Sequence, residues 1–63
     1  MLDKNLKNKR AEKGYSQAKL AKLSDVSRNT INFIENGKVK TPMLDTLKSL
    51  ANALDTTIEE LIK

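Results

Sequence analysis

The chain has 63 residues, a net charge of +4, and neither cysteine nor histidine. That length holds one domain, expected to span residues 1–63, and such a domain buries only about 60% of the surface its unfolded chain exposes, which leaves no room for a wide catalytic cavity. The missing residue types exclude a disulfide framework, a thiolate metal site and the commonest metal ligand and general base, so neither an enzyme nor a metal or other cofactor is expected.

The punctuation of the chain predicts five helices. Leu2, Leu6 and Arg10 share one stripe at helical spacing, and Gly14 suits a left-handed cap that ends the first helix. Ser16 caps a second helix, with Leu20, Ala21 and Leu23 as its apolar positions. Asp25, Val26 and Ser27 form a short break. Ser27 then caps a third helix with Ile31 and Ile34 turned inward, and Asn36-Gly37 stops it. Lys38 to Pro42 is a basic connection, with Thr41 extended because a proline follows it. The fourth helix carries Leu44, Leu47, Leu50, Ala51 and Leu54 as its buried stripe. Thr57 and Glu60 have the spacing of a reciprocal capping box at the start of a fifth helix, whose apolar residues are Ile58, Leu61 and Ile62. β-Branched residues nowhere alternate over the length of a strand, and the fold class is all-α.

Charge is distributed unevenly along these elements. Residues 1–14 and residues 15–41 each carry five basic and two acidic side chains, whereas residues 42–63 carry two basic and four acidic ones. A basic front and an acidic back suit a protein that lays one end against a polyanion. No apolar run approaches the roughly 20 residues of a membrane-spanning helix. Met1 to Arg10 lacks the apolar stretch of a secretory signal, so a soluble, cytoplasmic protein is expected.

The pair Gln17–Ser24 and Arg28–Asn36, joined by about three residues, has the outline of a helix-turn-helix over residues 17–36. The wheel of the second helix is more informative than the corner. At about 100° per residue, Thr30, Ile31 and Ile34 fall on one arc, and Arg28, Asn29, Asn32 and Phe33 on the opposite one. Arginine and asparagine make paired hydrogen bonds to the edges of guanine and adenine. Asparagine is a poor helix former, so two of them on an exposed arc have no local benefit there.

The segments Ser16-Gln17-Ala18-Lys19-Leu20-Ala21, Val26-Ser27-Arg28-Asn29-Thr30-Ile31, Ile34-Glu35-Asn36-Gly37-Lys38 and Leu47 to Leu54 together resemble the Cro/phage-repressor-like, or XRE-like, helix-turn-helix regulators. The resemblance covers nearly the whole chain. It implies a compact five-helix bundle of the lambda-repressor-like kind. It also implies a prokaryotic or phage-encoded protein that binds double-stranded operator DNA sequence-specifically, as a homodimer.

The resemblance further implies roles for single residues. Gln17 would hold a phosphate and buttress the reading helix, and Ala21 would pack where the motif helices cross. Ser27, Arg28, Asn29 and Asn32 would face bases or flanking phosphates. Asn36, Lys38 and Lys40 would lie in the loop that grips the sugar-phosphate strand. Arg10 and Glu35 would form an internal ion pair tying the first helix to the end of the reading helix.

Four residues depart from the pattern. Asp25 and Asp55 stand where glycine is usual, at some cost to a left-handed backbone. Met43 replaces a basic residue near the minor groove. Phe33 replaces a polar residue, and either touches a thymine methyl or folds back onto the core rim. A second reading is an antitoxin-like protein-interaction module that also binds its own operator and has a toxin or other protein partner; Ile58, Leu61 and Ile62, if exposed, would form its dimer or partner interface. A nuclease would need clustered carboxylates to hold a metal, and the acidic residues here are scattered.

Overall fold

The computed structural model describes all residues from Met1 to Lys63 and contains helices only. They are α1 (Leu2–Glu12), α2 (Gln17–Ser24), α3 (Arg28–Glu35), α4 (Leu44–Ala53) and α5 (Ile58–Ile62). Each helix contributes to one core of Leu6, Leu20, Ile31, Ile34, Leu50, Ala51, Leu54 and Leu61. α3 packs on α1 and α2, α4 closes over α2, and α5 bridges α1 and α4. No helix is long and apolar enough to cross a membrane.

The helix starts are set by side chains. Ser16, Ser27 and Thr57 each accept a hydrogen bond from the amide three residues on, at 3.0, 3.1 and 3.1 Å. These bonds satisfy donors that the first turn leaves free. Only half of the expected capping box forms. The Glu60 carboxylate pairs with Lys63 at 3.1 Å instead of reaching back to the Thr57 amide. That hydrogen bond, followed by the charges of Lys63 and Lys9, holds the Glu60 carboxyl below its ordinary pKa.

The helix stops need left-handed residues. Gly37 has φ +75°, and the Gly37 and Lys38 amides bond back to the carbonyls of Ile34 and Phe33 at 3.1 and 2.9 Å. This closes the end of α3 and starts the basic loop in a fixed direction. Asp25 and Asp55 take the same conformation without being glycine, with φ of 60° and 56°. A left-handed non-glycine residue costs roughly 1–2 kcal/mol, somewhat less for aspartate. Asp25→Gly and Asp55→Gly are therefore expected to stabilise the domain by about 0.5–1 kcal/mol each, net of glycine's larger chain entropy. Thermal unfolding would then show each midpoint raised by about 2–8 °C. An unchanged or lowered midpoint would mean that the aspartates carry no strain.

Four expected core positions lie outside the core. Leu23, Leu44 and Ile62 are about half exposed, and Leu47 is only partly buried. Next to Leu23, Ser24 is buried in its place. Its hydroxyl donates to the Leu20 carbonyl at 2.7 Å and accepts from the Val26 amide at 3.2 Å, so its polar atom enters the interior already satisfied. Leu44 opens α4 nearly two turns before the buried residues Leu50 and Ala51, and Leu47 lies between them. Ile62 lies beside Leu61 on a helix of five residues, and that helix is too short to bury two faces.

The two chain ends are joined. The Met1 ammonium donates to the Lys63 carbonyl at 2.7 Å, and the Asn5 amide donates to the Leu61 and Lys63 carbonyls at 3.0 and 3.1 Å. These donors satisfy carbonyls that the last turn of α5 leaves open.

Candidate nucleic-acid interface

α3 is the most sharply two-faced helix of the molecule. Ile31 and Ile34 are fully buried, while Arg28 and Asn29 are exposed on the other side. Its start is fixed twice, because the Ser27 hydroxyl accepts from the Thr30 amide and donates to the Thr30 hydroxyl at 2.8 Å. The turn before it is tight. The Asp25 amide bonds to the Ala21 carbonyl at 2.9 Å, and Ala21, half-buried, lies beneath that corner.

Phe33 is 45% exposed, so it does not fold back onto the core rim. The Lys38 ammonium stands 5.8 Å from its ring centroid, within the range of a cation–π contact. Lys38, Lys40 and Asn36 are all exposed, and they follow one another along the loop that leaves α3.

Behind this face lies a polar cluster. Arg10 of α1 donates two hydrogen bonds to the Glu35 carboxylate, from Nε to Oε2 at 2.7 Å and from Nη2 to Oε1 at 3.0 Å. Its Nη1 donates to the Tyr15 carbonyl at 2.8 Å. The Glu35 side chain is only 1% exposed. Burial pushes its carboxyl pKa up, but the hydrogen bonds from Arg10 and Gln17 and the charges of Arg10 and Lys7 outweigh this, so the group lies below its ordinary value. The Arg10 guanidinium moves up, held by its hydrogen bond to Glu35 against the opposing effect of burial. Gln17 Nε2 donates to Glu35 Oε1 at 3.1 Å, Asn32 Nδ2 donates to Gln17 Oε1 at 3.3 Å, and Asn36 Nδ2 donates to Asn32 Oδ1 at 3.0 Å. No buried side-chain polar atom lacks a partner.

A short corner, a two-faced second helix and a basic loop leaving its end are thus one continuous surface, braced from behind by an ion pair. The family model described as helix-turn-helix matches residues 6–61. The chain belongs to the Cro/C1-type, XRE-like helix-turn-helix family. Among curated proteins there is no match. A helix-turn-helix domain of this family is a DNA-binding regulator of transcription.

Within this helix-turn-helix domain, Arg28, Asn29, Ser27, Phe33, Lys38 and Lys40 are exposed on the side away from the core, with the Ser27 hydroxyl engaged by Thr30 and Lys38 beside the Phe33 ring. Gln17, Asn32 and Asn36 stand at its edge, already engaged with one another. Reading the sequence marks Gln17 as a buttress without saying what it touches. The sign was available: Glu35 is a lone buried carboxylate and needs donors, and an amide at the start of α2 can supply one. The tether from Asn5 to the C-terminal end of α5 has no sequence signature.

Proposed function

We propose that residues 1–63 act as a single domain of a transcriptional repressor that binds operator DNA as a homodimer, with α3 in the major groove. Arg28, Asn29 and Asn32 contact base edges, and Phe33 lies against a thymine methyl. Gln17, Ser27, Asn36, Lys38 and Lys40, with the free amides at the start of α3, hold phosphates. The observation that carries this reading is the face of α3. Its fork-shaped cation Arg28 and the Asn29 amide are exposed, and the partly buried Asn32 amide stands at their edge, on a helix whose opposite side is anchored by two fully buried isoleucines. A surface read by a groove needs that combination of free polar tips and a fixed backbone.

The competing reading, a module whose main task is to hold a protein partner, is less well supported. Leu61 is fully buried and Ile58 packs against the core, so Ile62 alone of the three offers a large exposed apolar surface.

Selection of bound sequences from random duplex DNA tests the proposal. The expected product is a pair of inverted half-sites whose centres lie one helical turn, roughly 34 Å, apart. A single asymmetric site would overturn the homodimer, and recovery of unenriched sequence would overturn base reading.

A further inference from the structure

The polar cluster behind α3 has a direction, and its chemistry fixes that direction. Glu35 is ionised, because Arg10 pairs with both of its oxygens, and an ionised carboxylate only accepts hydrogen bonds. Gln17 must therefore turn its NH2 toward Glu35, which leaves its oxygen facing Asn32. Asn32 must then turn its NH2 toward Gln17, which leaves its oxygen to accept from Asn36. The observed bonds, at 3.1, 3.3 and 3.0 Å, run in that sense throughout. Reversing any one amide sets two oxygens or two NH2 groups against each other.

We propose that Glu35 is a positioning residue for sequence reading: through Gln17 its charge selects one of the two orientations of the Asn32 amide. The Asn32 amide keeps one hydrogen and one lone pair beyond its two internal bonds. Those are the donor and acceptor that a paired contact to adenine uses, and their left-to-right order is set by which way the amide lies. The selection reaches from a buried ion pair to the exposed edge of α3 without any movement of backbone. Asn32 and Glu35 are three residues apart and Asn32 and Asn36 four, so one stripe of the helix carries all three groups. Asn29, which makes no hydrogen bond within the chain, is not oriented in this way.

The effect on base choice rests on the reading of Asn32 proposed above, whereas the effect on the amide does not. The two are separated by observing the free protein first. The probe is the set of side-chain NH2 resonances of Gln17, Asn32 and Asn29 in a 15N-labelled sample. On acidification, Gln17 and Asn32 are expected to shift with one common midpoint as Glu35 takes up a proton, while Asn29 stays still. The charged groups facing Glu35 are Arg10 and Lys7 of α1, both basic, so Glu35 is the one carboxyl of the cluster and the midpoint reports it. In Glu35→Gln the anchor is free to donate as well as accept, and the Asn32 NH2 signals are expected to split or move. Asn32 signals that stay fixed while those of Gln17 move would overturn the proposal, as would no movement of either. If Glu35→Gln does not fold, the acid titration of the unaltered protein still decides.

The DNA arm uses the base pair at which Asn32→Ala loses discrimination. Glu35→Gln is expected to lose about tenfold of the preference at that same pair, within the range of one paired base contact, and to lose nothing further there in the Asn32→Ala background. A loss equal on all sequences, or one that persists without Asn32, would show that Glu35 is only a structural brace. Should Asn32→Ala leave every preference unchanged, the reading of Asn32 fails while the orientation of its amide is still decided by the spectra.

Discussion

Replacing Arg10 with methionine is expected to bring the domain close to unfolding at neutral pH. The substitution keeps much of the side chain's length and removes its charge, leaving the Glu35 carboxylate buried with only Gln17 to donate to it. Breaking a buried pair from one side costs roughly 3–5 kcal/mol. A chain of this length has a total stability of about 3–9 kcal/mol. Urea unfolding followed by circular dichroism should show the midpoint collapse. The double variant Arg10→Met/Glu35→Leu should regain much of the loss, because removing both charges together leaves no buried charge unpaired, although the Tyr15 carbonyl and the Gln17 amide each lose a partner. If the double variant were as unstable as the single one, the pair would be contributing net stability and the penalty would not come from an orphaned charge.

The pH dependence of the two proteins should differ in sign. In the unaltered domain the Glu35 carboxyl is held below its ordinary value, so its contribution is full above the unfolded-state value and is lost as pH falls through the lower, folded one. Without Arg10, burial dominates and the carboxyl rises above its unfolded value. The variant is then destabilised at neutral pH and recovers as acid neutralises the group. The gap between the two unfolding midpoints should therefore narrow from pH 7 toward pH 4–5.

The ion pair also shows what a sequence of this kind discloses. Helix boundaries are legible because they are local events: Ser16, Ser27 and Thr57 bond three residues ahead, and Gly37 supplies a backbone angle that few other residues tolerate. The outer face of α3 is legible for a similar reason, since Arg28, Asn29, Ile31 and Ile34 are assigned by rotation about one axis. Which apolar residues reach the core is less legible. Leu23 and Ser24 are neighbours on α2, and hydropathy favours Leu23, but the buried place goes to the residue whose hydroxyl bonds back to its own helix. Leu44 and Ile62 fail for want of a partner, because a core built by helices of 5 to 11 residues cannot cover every apolar position at their ends. The chain from Glu35 through Gln17 to Asn32 is least legible of all. It joins α2 and α3 side by side, and pairings between helices do not follow from the periodicity of either.

The exposed face of α3 and the loop beyond it should separate cleanly when mutated. Asn29→Ala removes a side chain that makes no bond within the protein, so stability should stay within about 0.5 kcal/mol of the original. Any loss must then appear in DNA binding, as about 1–3 kcal/mol of discrimination at one base pair of each half-site and little change on scrambled duplex. Lys38→Ala acts on the other part of the interface. On the proposed reading it removes one phosphate contact per protomer, which is expected to weaken every duplex alike and to reduce the slope of log affinity against log salt by about 0.9, or twice that for a bound dimer. It also uncovers the ring of Phe33, whose face the ammonium now shields. Binding titrations of both variants on the selected site and on scrambled DNA, at several salt concentrations, distinguish the roles. Equal losses on the two duplexes for Asn29→Ala would remove it from base reading. An unaltered salt slope for Lys38→Ala would mean that its ammonium stays on Phe33 and never reaches the phosphate.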